Sequence, residues 1–185
     1  MKFHFSRISR WLHIYLSMIS FFVVLFFSIT GITLNHAELF QSSVINNTTS
    51  GSIDSTWTNS PDSLTIDKLR ISEYFRNKLH AQGAINDFHI DLHQISFAFK
   101  GPGYEASVII NRKNGKYQFD ETSYGLIGML NDLHKGRDTG SAWAWFIDIS
   151  AIFLILVSIS GITLLFFLKK KKIPGIVVAI LGLAL

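Results

Sequence analysis

The sequence predicts a membrane protein with two membrane-spanning α-helices and a small α+β domain between them. Three observations predict this class. The chain of 185 residues is 48% hydrophobic and only 16% charged. Its apolar residues are concentrated in two long runs, and basic residues cluster just outside that pair of runs. The segment between the runs is polar and has helix and strand periodicities of its own, which are typical of a folded domain.

The two apolar runs are long enough to cross a bilayer. Residues 11–37 include no Asp, Glu, Lys or Arg, and residues 139–168 include only Asp148. About 20 apolar residues cross the hydrocarbon core. A buried core helix is the alternative for each run, but a domain this small cannot cover two such helices. The first run is also longer than the apolar region of a signal peptide and lacks its cleavage pattern, so we expect it to be retained.

Basic residues predict the orientation. Lys2, Arg7 and Arg10 precede the first run, and Lys169–Lys172 follow the second, which places both termini in the cytoplasm. The clustered basic residues, which contribute to the net charge of +4, therefore orient the chain at the membrane and do not form a nucleic-acid-binding surface. Residues 173–185 are apolar but too short to span, so they either lie along the interface or belong to a third helix. The predicted segments are a cytoplasmic N-terminus (1–10), a first membrane helix (11–36), a periplasmic domain (37–140), a second membrane helix (141–168) and a basic tail (169–185).

The middle segment changes from a polar loop to a helix and then to strands. Residues 41–61 are rich in Ser, Thr and Asn, which predicts a loop. The apolar spacing in residues 62–81 predicts an amphipathic helix closed by Gly83. Phe88, Ile90 and Leu92 then alternate with polar residues, as in a half-buried strand. Further predicted elements are strands at 95–100 and 104–111 around Gly101-Pro102-Gly103, a turn at Asn114-Gly115, a strand at 116–119, and a helix at 124–133 ending at Gly136.

A seven-residue repeat links the two apolar runs. Residues 28–34 read SITGITL and residues 158–164 read SISGITL. The central glycines are Gly31 and Gly161, and a glycine in a membrane helix lets another group approach the backbone closely. That group is either a neighbouring helix or a flat cofactor that lies against the glycine.

Three histidines lie at the predicted membrane edges. His13 is near the inner edge, whereas His36 and His134 are near the outer edge. Histidine is a natural axial ligand of b-type haem, and helix bundles are a common place to hold it. His36 and His134 can share one iron, but His13 lies about 35 Å of helical rise from His36. His13 therefore pairs either with His13 of a second protomer in a four-helix bundle or with His4.

Other polar groups are candidates for metal or proton chemistry. His89, Asp91 and His93 alternate along one predicted strand, so they share a face that either binds a divalent metal or is solvated. Asp148, an acid within a predicted membrane helix, acts either in proton or cation handling or in helix capping or pairing. The chain has no cysteine, so thiolate ligands and disulfides are excluded. A second candidate cation site consists of the acids Glu38, Asp132 and Asp138.

Several of these motifs resemble the PepSY-associated transmembrane protein family. The motifs are Trp11-Leu12-His13, residues 30–36 (TGITLNH), and residues 132–136 (DLHKG) before Trp143. Residues 62–122 resemble a divergent PepSY domain, and the resemblance covers most of the chain. Within this family, the chain is similar to the small VciB-type haem-containing ferric reductases.

The resemblance implies a haem b protein of the bacterial inner membrane that works as a homodimer. It implies His13, His36 and His134 as haem ligands, and the close approach predicted from the repeat would bring Gly31 and Gly161 beside the haem. The implied activity is reduction of ferric iron in the periplasm, which supports iron uptake. No dinucleotide-binding motif is present, so the electron donor is expected to be a quinol or a cytoplasmic reductase. The alternative is a haem-free, membrane-anchored PepSY module that binds a protein or peptide partner.

Overall fold

A computed structural model describes residues 2–60, 65–167 and 172–184, with the side chains of all of these except 2–5 and 41–43. The chain divides into two compact units. One unit comprises the residues up to Ile29 together with those from Ala144 onward. The other unit comprises Thr30–Trp143.

Among the described residues, two helices are long and apolar enough to cross a membrane. Helix α1 extends over Lys2–Asn35 and helix α4 over Gly140–Phe167. Only 6% of the first span and 11% of the second are buried, so neither is the core helix of a soluble protein. The prediction of two long apolar helices is confirmed. Helix α1 begins nine residues earlier than the predicted membrane segment, because nothing in residues 2–10 ends a helix: they include no Pro or Gly.

A third apolar helix, α5, extends over Lys172–Ala184 and has only 13 residues. It is shorter than the roughly 20 residues that a bilayer requires. Its start packs closely on α4, since a Cβ on Gly175 would collide with the side chain of Leu165. Lys169, Lys170 and Lys171, which contributed to the predicted orientation, lie outside the described residues.

The second unit is built on an antiparallel sheet that has five strands in the described part of the chain. The strand order is β1-β5-β4-β3-β2, and every neighbouring pair is antiparallel. The predicted strands at 95–100 and 104–111 and the turn at Asn114-Gly115 are confirmed. The strands are β1 (Ile45–Ser52), β2 (Ala84–Ile90), β3 (Gln94–Gly101), β4 (Tyr104–Asn111) and β5 (Lys116–Ser123).

Helix α2 (Lys68–Leu79) supplies the other half of the core. Its side chains Ile71 and Phe75 are fully buried. Phe75 stacks on Phe119 and makes an edge-to-face contact with Phe97. Alternate residues of β4 are buried against this layer, and burial of such large side chains is the main stabilising contribution in a domain of this size.

Helix α3 (Gly125–Lys135) follows the sheet directly, close to the predicted bounds of 124–133. Gly136 ends it in the left-handed conformation, with φ of 68°, as the sequence predicted. The amide of Gly136 donates to the carbonyl oxygens of Asp132 and Leu133. This glycine turns the chain from α3 toward α4 within four residues.

Three predictions for this domain are wrong in their bounds. The predicted loop at 41–61 includes strand β1, whose residues are almost all exposed, so no alternation of apolar and polar side chains marks it. Helix α2 begins at Lys68 because Asp67 caps it: the Asp67 side chain accepts from Arg70 N at 3.0 Å. The helix is capped at its C-terminal end by His80, with φ of 55°, and so ends before Gly83. Leu64, predicted within this helix, lies outside the described residues. Strand β2 ends at Ile90, so Leu92, 86% exposed, is not part of it.

Candidate functional site

His13 contacts the repeat in α4 within the first unit. Its Nδ1 atom is 2.8 Å from Oγ of Ser160. A Cβ placed on the neighbouring Gly161 would lie 3.1 Å from Cε1 of the imidazole, closer than most real contacts of this kind. The absence of a side chain at position 161 therefore makes room for the ring of His13.

Ser160 bonds both to His13 and to its own helix. Its hydroxyl oxygen lies 2.8 Å from Nδ1 of His13 and 2.8 Å from the carbonyl oxygen of Val157. In either imidazole tautomer this contact engages Nδ1 and leaves Nε2 as the second ring nitrogen. Histidines that ligate metals typically have their second ring nitrogen held in this way.

His134 makes a similar contact within the second unit. Its Nδ1 atom is 2.6 Å from Oγ1 of Thr30, a side chain that is only 2% exposed. A Cβ on Gly31 would lie 3.7 Å from Cε1 of this ring, which is an ordinary van der Waals distance. Beside it, Thr33 donates to Oδ1 of Asn131 at 2.7 Å. These bonds hold α3 against the last turns of α1.

Each copy of the seven-residue repeat thus receives one histidine. The receiving pairs are Thr30-Gly31 and Ser160-Gly161. The sequence predicted a close approach at the two glycines, and the group that approaches is an imidazole of the same chain. The role of the hydroxyls was missed, although a hydroxyl residue precedes the glycine in both copies and was the available signal.

His36 has a different environment from His134. Its side chain is 51% exposed, and Nδ1 lies 3.6 Å from the carboxylate of Glu38. His134 is directed to Thr30 instead. The structure therefore directs the two histidines to different partners, and their shared ligation of one iron stays a prediction. The side chain of His4, the alternative partner of His13, is outside the described atoms.

The three acids predicted as a cation site have separate partners. Asp132 is 4% exposed and accepts from Gly103 N at 2.9 Å and from Arg137 at 2.6 Å. Asp138 lies 3.9 Å from Arg137, whereas Glu38 faces His36. Within the described ranges, no group of three or more histidine or acidic side chains is arranged to hold a metal. The buried carboxylate of Asp132 thus has a structural role.

The alternative metal set of His89, Asp91 and His93 does not share a strand face. Of the three, only His89 belongs to β2, which ends at Ile90. Asp91 begins the turn to β3, where its amide donates to the carbonyl oxygen of Gln94. The prediction of one common face was wrong because the alternation of side chains stops where the strand stops.

Asp148 is the ninth residue of α4, which excludes the helix-capping alternative. Its side chain is exposed on the helix surface. In the part of the chain that the structure describes, no salt bridge involves this carboxylate. A role in proton or cation handling stays a prediction, and so does pairing with another helix.

Residues 7–185 match the profile of the family described as "Putative PepSY_TM-like". The chain belongs to this PepSY_TM-like family. No curated protein and no solved structure gave a significant match. Family membership agrees with the two long apolar helices and the sheet domain of this protein, but it assigns no cofactor or reaction.

The resemblance implies haem, and the surroundings of His13 fit a haem ligand in two respects. Ser160 engages Nδ1, so Nε2 is the ring nitrogen that iron would take, and Gly161 seats the ring. His13 is the one histidine of this unit whose side chain the structure describes, so its pairing with His13 of a second protomer stays a prediction.

Proposed function

We propose that this PepSY_TM-like protein is a b-type cytochrome of the bacterial inner membrane that reduces ferric iron to ferrous iron and thereby supports iron uptake. The observation that carries the proposal is the contact of His13 with Ser160 and Gly161. It holds the imidazole through Nδ1, as the second ring nitrogen of a metal-ligating histidine is typically held, and it seats the ring against a glycine backbone.

In the proposed site, the chain's own residues hold and orient the haem. His13 from each of two protomers would hold haem at one end, within a dimeric four-helix bundle. His36 and His134 would hold it at the other end, and Gly161 and Gly31 would seat the rings of His13 and His134. Bound haem b supplies reversible one-electron chemistry, whose potential depends on these ligands and their hydrogen bonds.

The basic residues beside the helices predict the topology, and the topology gives the direction of electron flow. Arg7 and Arg10 lie at the N-terminal end of α1, so the positive-inside rule places this end in the cytoplasm and Thr30–Trp143 in the periplasm. A quinol or a cytoplasmic reductase gives up two electrons, which pass outward one at a time and reduce two ferric ions to the ferrous state; oxidation of a quinol also releases two protons. Sites at both membrane edges suit this path, because the hydrocarbon core is roughly 30 Å thick.

The test is the colour of the protein purified from haem-replete cells. We expect a Soret band and sharp low-spin bands on reduction, and reoxidation of the reduced protein by ferric citrate. His13→Ala should remove haem and weaken the dimer together. His89→Ala is the matched control, since His89 is an exposed histidine on β2 and its loss should change nothing. Haem-loaded protein that ferric iron fails to reoxidise would contradict the reductase assignment.

The haem-free partner-binding module is the second candidate, and the sheet edge favours it. Strand β1 is a sheet edge of eight residues, and none of them is charged or proline. Such an edge presents unpaired backbone groups to which an extended peptide can add as a further strand. Colourless protein from haem-replete cells would favour this candidate over the cytochrome.

A further inference from the structure

A cavity of about 290 Å³ lies in the second unit, beside the end of α1. Its apolar lining consists of Leu34 from the last turn of α1, Phe40, Val44, and Ile127 from α3. Polar groups come from Asn131, Lys135 and Arg137. None of the histidines discussed above lines it, so it is distinct from the proposed haem sites.

The charged groups of the cavity leave a net positive charge. Asp132 and Arg137 both line it and form an ion pair at 2.6 Å, so they neutralise one another. The Asp132 carboxylate also accepts from Gly103 N, which further satisfies its charge. Lys135 is exposed, and no salt bridge of its ammonium group occurs among the described side chains. Its charge is thus available to an anion.

Asn131 adds an uncharged polar group to the lining. One end of its side-chain amide bonds to the Thr33 hydroxyl, which also bonds to the carbonyl oxygen of Thr30, and the other end is a second polar atom that a ligand can bond. A ligand that suits the cavity therefore carries polar atoms and a negative charge as well as apolar carbons.

The position of the cavity indicates where such a ligand comes from. Leu34 lies in the last turn of the candidate membrane span that ends at Asn35. The end of a membrane span lies at the level of the lipid headgroups. A volume of about 290 Å³ is at the lower limit for small-molecule sites, which suits a headgroup with its glycerol but not a whole lipid.

We propose that this cavity binds the phosphodiester headgroup of an anionic phospholipid, with Lys135 and Asn131 at the phosphate and Leu34 and Ile127 against the first carbons of the lipid. We assign a lipid because apolar side chains line the cavity at the end of a membrane helix. We assign an anionic lipid because Lys135 leaves a positive charge there. The proposal is independent of haem, so it survives if the purified protein is colourless.

The experiment measures the lipids that stay bound to the full-length protein. The protein is placed in nanodiscs of phosphatidylglycerol and phosphatidylcholine in equal parts, and retained lipid is counted by native mass spectrometry. We expect preferential retention of phosphatidylglycerol. Lys135→Gln should lower this preference about five-fold, as loss of one basic residue near a lipid surface predicts. The matched control is Lys113→Gln, an exposed lysine in the turn between β4 and β5, which should retain the preference.

A second variant tests the cavity itself. Val44→Trp should fill the cavity and remove bound lipid of both kinds, whereas Ile109→Trp, at a half-exposed position on β4, should not. Equal retention of the two lipids by the wild type would overturn the proposal, and so would full retention by Val44→Trp. Displacement of the lipid by soluble glycerol phosphate would show that the site takes a soluble ligand. Retention of a quinone in place of lipid would show that the site takes a neutral ligand. Either result would overturn the assignment to an anionic lipid.

Discussion

His13 and His134 each direct Nδ1 to a hydroxyl that precedes a glycine, yet the two contacts are built differently. His13 lies on membrane helix α1 and meets Ser160 and Gly161 of α4. His134 lies on the short helix α3 and meets Thr30 and Gly31 of α1. The glycine contact is tight at Gly161, where a Cβ would be 3.1 Å from the ring, and relaxed at Gly31, where it would be 3.7 Å away.

The difference concerns what holds each histidine in place. Close approach of two membrane helices positions His13, and small residues are what permits such an approach. His134 has additional support from its own helix, because Asp132 and Asn131 fix α3 to Gly103 and Thr33. We therefore expect substitutions at the glycine to disturb His13, and substitutions in α3 to disturb His134.

The largest effect is expected at Asp132. Asp132→Ala would leave the amide of Gly103 and the guanidinium of Arg137 without their acceptor, and such losses cost about 2–4 kcal/mol of unfolding free energy. Denaturant titration of the purified protein measures the cost. Asp138→Asn is the control, since it removes a carboxylate 3.9 Å from Arg137 and asparagine tolerates the left-handed backbone at this position, with φ of 55°; it should cost less than about 1 kcal/mol. Equal costs for the two variants would show that the buried carboxylate does not hold α3.

The next largest effect is expected at Gly161. Gly161→Ala requires the ring of His13 to shift by a few tenths of an ångström against its bond to Ser160, so we expect a cost at the lower end of the overpacking range, about 1 kcal/mol. Gly31→Ala should be neutral or slightly stabilising, because the added methyl group meets His134 at an ordinary distance and alanine favours a helix. Thermal unfolding in detergent compares the two variants. If both are equally stable, the comparison of tight and relaxed contacts is wrong.

The sequence predicted the elements that carry a clear periodicity or a strong end signal. Helix α3 and its end at Gly136, and strands β3 and β4, follow from side-chain spacing and turn residues. Strand β1 could not be predicted in this way, because it is an exposed edge whose only marker is its pairing with β5. That pairing joins residues about 70 positions apart, and local spacing does not contain it.

The sequence predicted only part of the site, again because local spacing does not contain contacts between distant residues. The repeat identified Gly31 and Gly161, since a glycine within a membrane helix typically marks a point of close approach. It could not identify Ser160 and Thr30 as partners of the histidines, because that depends on which residues of separate helices face each other. The buried position of Asp132 was missed likewise: its partner Gly103 lies 29 residues earlier in the chain.

An effect of similar size is expected at Ser160. Ser160→Ala removes the hydrogen-bond partner of His13 Nδ1, and hydrogen bonds between membrane helices are worth about 0.6–2 kcal/mol. Ser160→Thr keeps the hydroxyl and should restore most of this stability. Ser158→Ala is the control, since the exposed hydroxyl of Ser158 donates to the carbonyl oxygen of Leu154 in its own helix, and little change is expected. If the protein holds haem, Ser160→Ala should also alter the low-spin spectrum, which Ser158→Ala should not.

The smallest effect on stability is expected at His36. Its imidazole is half exposed and 3.6 Å from Glu38, and exposed pairs of this kind are worth about 0–1 kcal/mol. His36→Ala should therefore leave the unfolding free energy of the haem-free protein nearly unchanged, whereas a ligand role would remove a low-spin haem signal. Glu38→Gln is the matched control, because it breaks the ion pair and keeps the imidazole, so neither stability nor spectrum should change. A wild-type spectrum in His36→Ala would exclude His36 as a ligand, and His134 would then need an axial partner from a second protomer. Both quantities can be measured on one preparation, so the ligand role of His36 is separated from any contribution to folding.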